Sequence, residues 1–272
     1  MADISDPVAP FGVGKVFSDA WYVFKKGWFA ILLVFIVMSI ALALVVIPFG
    51  LSIGNLALMA DDPEAIAAMF FSGSFLLLFI GALVVMVGGY AAALKVTYNV
   101  GHGEPPAVLA SILGILPRVP VLAVISMIVS IIISIGWWVL IVPGLWLTGV
   151  FMLTFPIAVL ENTGFGALGR SVRLSRGYRW QILGTMALSY ICIFAAMIVI
   201  SIVGSLAVLP LALLAGESGV MLGLSIFLSS ILQVGGMIVG YSFFFCTIVS
   251  IYQRVIDIKE GGGIDRVHDV FS

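Results

Sequence analysis

The chain has 272 residues, of which 62% are hydrophobic and only 9% charged, and its mean hydropathy is +1.28. That composition excludes a soluble globular core and defines an all-α integral membrane protein. A formal net charge of -1 gives no basic excess for a nucleic acid to meet, and no nucleic-acid partner is implied.

A span needs about 20 predominantly apolar residues, and uncharged runs cover 28–60, 65–94, 119–160, 180–216 and 218–253. The amino-terminal stretch MADISDPVAPFG has no basic region followed by a short apolar core, so no cleaved signal peptide is expected. VGKVFSDAWYVFKKGW follows as a segment of mixed character, in which Trp21, Tyr22 and Trp28 read as interface anchors. The first span is expected at 28–47 and ends at Pro48. Residues 49–69, with Asp61, Asp62 and Glu64, read as an exposed acidic connection.

The second span is expected at 70–94, closed by Lys95. After it come His102 in the loop HGE and a second mixed segment, EPPAVLASILGILPRVP. The third and fourth spans, at 121–141 and 145–160, are separated by Pro143 and Gly144, a pair that predicts a tight turn. Pro156 predicts a kink within the fourth span, whose end is marked by Glu161. The third mixed segment, GFGALGRSVRLSRGYRW, leads into spans at 182–205 and 224–250. A single membrane domain of residues 1–254 is thus followed by a short tail, 255–272, containing the flexible triplet Gly261, Gly262 and Gly263.

Orientation follows from the basic residues, because short cytoplasmic loops retain Lys and Arg. With the amino terminus inside, all 12 fall on the cytoplasmic face, whereas the outer loops carry only Asp61, Asp62, Glu64 and Glu217. The expected fold is six transmembrane helices in three hairpins, each preceded by a cytoplasmic interfacial amphipathic segment, with both termini cytoplasmic. An offset of 60 places Ala107 over Ala167 and Ser111 over Ser171. An offset of 152 places Val16 over Leu168 and Trp28 over Trp180. These matches suggest an internal repeat and are also few enough to arise by chance.

A third of the basic residues, Arg170, Arg173, Arg176 and Arg179, recur at every third position in the segment before the fifth span. On a helix Phe165, Leu168 and Val172 share one face and Arg170 and Arg173 point away from it, with Gly177 as the stop. Such a helix lies in the headgroup plane, its guanidinium groups reaching lipid phosphates. The same arginines also serve as a topology determinant, as a contact for an acidic partner, or as a substrate site, and the sequence leaves these readings open. Glu161 is the candidate carboxylate to face Arg170 or Arg173 and orient the segment.

Chemistry is harder to find. HGE is not the spacing of a helical metal site, no G-x-S-x-G or phosphate-binding loop is present, and no ionisable residue falls near the middle of a span. Cys192 and Cys246 sit within expected spans and read as small hydrophobes. In SSILQVGGMIVGYSF, residues 229–243, Gly236 and Gly240 form a small-xxx-small pair for close helix packing, while Gln233 and Tyr241 offer the competing reading of a substrate path. No catalytic, cofactor-binding or metal-binding residues are assigned, and no cofactor is expected.

Residues 142–184 carry Pro143-Gly144, Glu161, Ala167, Leu168, Arg170-Ser171, Leu174, Arg176-Gly177 and Trp180. With the opening FGVGKVFSDAWYVFKKGWFAILL they resemble the membrane domain of some glycerophosphoryl diester phosphodiesterases and the related YciC-like inner-membrane proteins. The resemblance implies a six-helix bacterial inner-membrane protein. In those phosphodiesterases the chemistry belongs to a separate soluble domain, so that activity is not expected of this chain. The expected function is non-enzymatic: organising membrane lipids, anionic ones among them, or a membrane-protein partner or second copy, through the basic interfacial segments. The competing expectation is a transporter or lipid flippase for an uncharged or amphiphilic cargo.

Overall fold

The computed structural model describes residues 11–57, 68, 72–214 and 219–261. Asp61, Asp62 and Glu64 of the expected acidic connection, Glu217, and the tail from residue 262 onward with His268 lie outside them. Among the described residues the secondary structure is entirely helical. Six helical stretches are long and apolar enough to cross a membrane: Val13–Pro48, Gly73–Gly101, Val108–Val139, Ile141–Leu160, Arg179–Pro210 and Gly223–Glu260. Each overlaps one expected span. The outward surface is correspondingly apolar, with Leu44, Leu77, Trp138 and Phe194 all exposed, a face that only lipid solvates without penalty.

The chain divides into two compact units. One comprises Met1–Trp28, Leu145–Leu153 and Ser171–Ser272, the other Phe29–Gly144 and Thr154–Arg170.

Helix α1, Val13–Ala57, begins within the first mixed segment and runs without interruption into the span. That segment is therefore the first turns of the membrane helix rather than a separate interfacial piece. Its buried stripe, Val16, Ala20 and Val23, continues as Ala30, Ile31 and Val34 at the same helical period. The helix also passes through Pro48, where a connection was expected to begin. Proline removes one backbone donor, a defect that membrane helices tolerate.

In the second unit, α2 (Gly73–Gly101) starts with the Ser72 hydroxyl accepting from the Phe75 amide at 3.2 Å. It receives α1 at glycines: a Cβ on Gly89 would stand 2.6 Å from Met38 Cγ, and one on Gly81 3.0 Å from Val45 Cγ1. Its run Ala91, Ala92, Ala93 and Leu94 is fully buried. Against α2 pack the short α3, Val108–Ile115, and α4, Val119–Val139, joined by a 3-10 turn at Leu116–Arg118.

The break between the third and fourth spans falls earlier than expected. Leu140 is extended, and α5 (Ile141–Phe151) already contains Pro143 and Gly144 in its first turn, where proline's missing N–H is no loss. A Cβ on Gly144 would lie 2.9 Å from Trp137 Cα, so glycine is what lets the chain turn back this tightly. The fourth span is then divided: α5 ends at Phe151 and α6 runs Thr154–Leu160, also packed on α2. Pro156 has no amide to donate to the Met152 carbonyl one turn back, which accounts for a break at this place.

In the first unit α8, Arg179–Leu214, packs lengthwise against α9, Gly219–Glu260. Close approach uses the expected glycines. Built Cβ atoms would meet Ile193 Cγ2 at 2.8 Å from Gly240, and Met197 Sδ at 3.1 Å from Gly236. The Ser189 hydroxyl donates to Thr247 Oγ1 at 3.2 Å across the pair. Gln233 and Tyr241 are exposed, and Tyr241 helps to line a small cavity of about 170 Å³ with Tyr190, Met237 and Phe244.

Candidate functional site

The arginine-rich segment folds as α7, Gly166–Ser175. At 10 residues it is below the roughly 12–15 residues at which an isolated helix holds in water, so neighbouring contacts must keep it. Ala167, Ser171 and Leu174 recur at i, i+4 and i+7 and are buried. The Ser171 hydroxyl donates to the Val150 carbonyl at 2.6 Å. Val150 lies in the last turn of α5, next to the helix break at Met152 and Leu153, and this bond gives its carbonyl a side-chain donor where the helical ladder is interrupted. The stripe proposed to face lipid looks outward: Phe165 and Val172 are exposed and Leu168 is half-buried.

The four arginines are not equivalent. Arg170 pairs with Glu161, the nearer of the two partnerships considered for that carboxylate, and the side chains keep 25% and 18% exposure. Arg118 donates to the Asn162 amide oxygen in the loop that follows Glu161. Asn162 and Gly164 both adopt positive φ there, 57° and 54°, which turns the chain sharply into α7. Arg179 lies over the Trp146 ring, its guanidinium carbon 4.4 Å from the centroid, a cation–π contact. Arg173 and Arg176 are exposed. The cluster thus comprises two arginines that hold the segment and two that face outward.

Tyr178 differs from the interface-anchor reading. It is 2% exposed, with the Phe11 ring 5.9 Å away and the Lys259 ammonium 5.3 Å from its own ring. Arg254 donates to the Phe11 carbonyl at 3.0 Å. The basic end of α9 therefore clamps Phe11 onto Tyr178, whereas Trp21, Tyr22, Trp28 and Trp180 are exposed.

Sequence reasoning missed a groove of about 640 Å³ inside the first unit, where the start of α1 crosses α8 and α9. Phe17, Trp21 and Phe24 share one face of α1 and gather around Phe243, with ring centroids 5.3, 6.0 and 5.8 Å away. Ile193, Ala196 and Met197 continue the wall on α8. The i, i+4, i+7 spacing of Phe17, Trp21 and Phe24 is the available signal, and the anchor reading takes in Trp21 alone. His102 closes α2, its Nδ1 2.9 Å from the Tyr98 carbonyl oxygen, and among the described residues no three His, Cys, Asp or Glu side chains converge on a metal position.

Among the described residues these features define an all-α, membrane-type protein with six helices long and apolar enough to span, a basic, partly pinned surface helix and an apolar groove. Comparison with family models, curated proteins and solved structures finds no match.

Proposed function

We propose that this chain is a non-enzymatic membrane protein that gathers anionic phospholipid at the cytoplasmic leaflet through α7. In this reading both termini are cytoplasmic, and the six spans form three hairpins whose basic loops all lie on the inner face. The resemblance of residues 142–184 to YciC-like proteins supports a bacterial inner-membrane setting. The observation that carries the proposal is the division of labour in α7. Ser171 and the Glu161–Arg170 pair fix the helix, leaving Arg173 and Arg176 exposed beside the exposed apolar Val172. A rigid amphipathic helix presenting guanidinium groups above an apolar stripe suits the headgroup plane.

The test is purification in nanodiscs made from a 1:4 mixture of phosphatidylglycerol and phosphatidylcholine, followed by quantification of protein-retained lipid. Replacing Arg173 and Arg176 by glutamine is expected to reduce phosphatidylglycerol enrichment at least several-fold while insertion is unchanged. Enrichment equal to the parent protein refutes the proposal. The groove favours a second reading, movement of an uncharged or amphiphilic cargo, which reconstituted transport across vesicles would test directly.

A further inference from the structure

We infer that the groove between α1, α8 and α9 is a binding site for one acyl chain of an anionic phospholipid, with the phosphate held at its Trp21–Lys25 end. This site is separate from α7, and the inference stands or falls independently of Arg173 and Arg176.

The groove has the dimensions of a ligand site. Its volume of about 640 Å³ falls within the roughly 300–1,000 Å³ of small-molecule pockets. Along α8 it runs from Cys192 to Ile200, about 12 Å at 1.5 Å per residue. Polar side-chain atoms on its wall are confined to Ser18, Trp21 and Cys192, so the interior offers hydrocarbon contact and almost no hydrogen bonding. A polar cargo would lose its hydration there without compensation.

Charge flanks only the α1 wall, since none of the groove residues on α8 or α9 is charged. The aromatic cluster of α1 meets Phe243, and from that point the floor formed by Met197, Ile200 and Gly236 leads away from it. Lys25 places its ammonium 6.0 Å from the centroid of Trp21, which lines the groove and is half exposed. Residues 13–28 carry Lys15, Lys25 and Lys26 against Asp19, a net charge of +2 from three lysines and one aspartate. The occupant that complements a narrow apolar trough with cations at its mouth is an amphiphile with a long hydrocarbon tail and an anionic head.

Ala196 is exposed on the groove wall, and a phenylalanine there would occupy the trough without displacing backbone. Ile198 is exposed on α8 but does not line the groove, and provides a control of equal bulk. Each variant, and the parent it is compared with, carries Arg173→Gln and Arg176→Gln so that lipid held by α7 is not counted. Each is purified into nanodiscs of 1:4 phosphatidylglycerol and phosphatidylcholine, released in the mass spectrometer, and scored for the lipid that survives activation. The parent protein and Ile198→Phe are expected to keep one phosphatidylglycerol, Ala196→Phe to lose it at least five-fold, and Lys25→Gln to lose the preference for phosphatidylglycerol. Matched thermal unfolding of Ala196→Phe and Ile198→Phe separates loss of the site from loss of the fold. Undiminished lipid in Ala196→Phe overturns the inference, as does retention of phosphatidylcholine in place of phosphatidylglycerol by the parent protein.

Discussion

Replacing Ser171 by alanine should loosen α7 without touching a charge. The Ser171 hydroxyl is fully buried and its acceptor, the carbonyl of Val150, belongs to a residue only 2% exposed. With the hydroxyl gone, that carbonyl is left without its 2.6 Å donor, and an unsatisfied buried acceptor costs about 1–3 kcal/mol. Because α7 is too short to persist alone, the loss falls on its local opening, which should become roughly 5- to 150-fold more frequent. Gly169→Ala supplies the opposite sign in the same helix. Nothing lies within 4 Å of a Cβ built there, and alanine stabilises a helix interior by up to about 1 kcal/mol over glycine. Hydrogen–deuterium exchange in nanodiscs reads both: amides in 168–174 should exchange faster in Ser171→Ala and slower in Gly169→Ala. Parental exchange rates in Ser171→Ala would show that the bond to Val150 does not hold the segment, and the clamping argument would fail.

Gly144→Ala should destabilise the turn between the third and fourth spans. The new Cβ would stand 2.9 Å from Trp137 Cα, about 0.6 Å inside the nearest favourable carbon–carbon separation, and no side-chain rotation relieves a backbone contact. The cost of about 1–3 kcal/mol outweighs the gain in helix propensity of up to about 1 kcal/mol, so the unfolding midpoint in detergent should fall; a rise would refute the geometry of the turn. Glu161→Gln removes the partner of Arg170 and, the pair being part-exposed, should weaken α7 docking by about 1 kcal/mol after screening. Brominated-lipid quenching of a Val172→Trp reporter measures that docking, and the charge swap Glu161→Arg with Arg170→Glu should restore it.

The spans were legible because hydropathy is additive along the chain: each apolar run reports itself without knowledge of its neighbours. Gly236 and Gly240 were legible for a related reason, since a spacing of four puts both on one helix face whatever that face meets. Partnerships between distant residues were not. Glu161 was close enough in sequence to suggest Arg170, but nothing marked Trp146 as the surface under Arg179, and so two engaged arginines looked the same as two exposed ones. Tyr178 carried the composition of an interface anchor, but Phe11, itself bonded by Arg254, and Lys259 lie against its ring and help to bury it. The groove depends on the register of α8 against α9 and on the path of α1 across them, none of which is encoded within a single segment. Pro48 misled in the other direction: its local meaning is a helix end, yet α1 continues to Ala57.

The bond from Ser171 to Val150 also has a consequence for biogenesis. The fourth span is the least apolar of the six, its helix is interrupted at Met152 and Leu153, and the donor that completes its broken end lies 21 residues downstream. At about 5–20 residues per second, the ribosome supplies that serine roughly one to four seconds after Val150. During this interval the nascent span lacks that side-chain donor next to its own interruption. The arginine-rich loop therefore finishes the span that precedes it, and a stall between these positions would leave an incompletely satisfied helix at the insertion machinery.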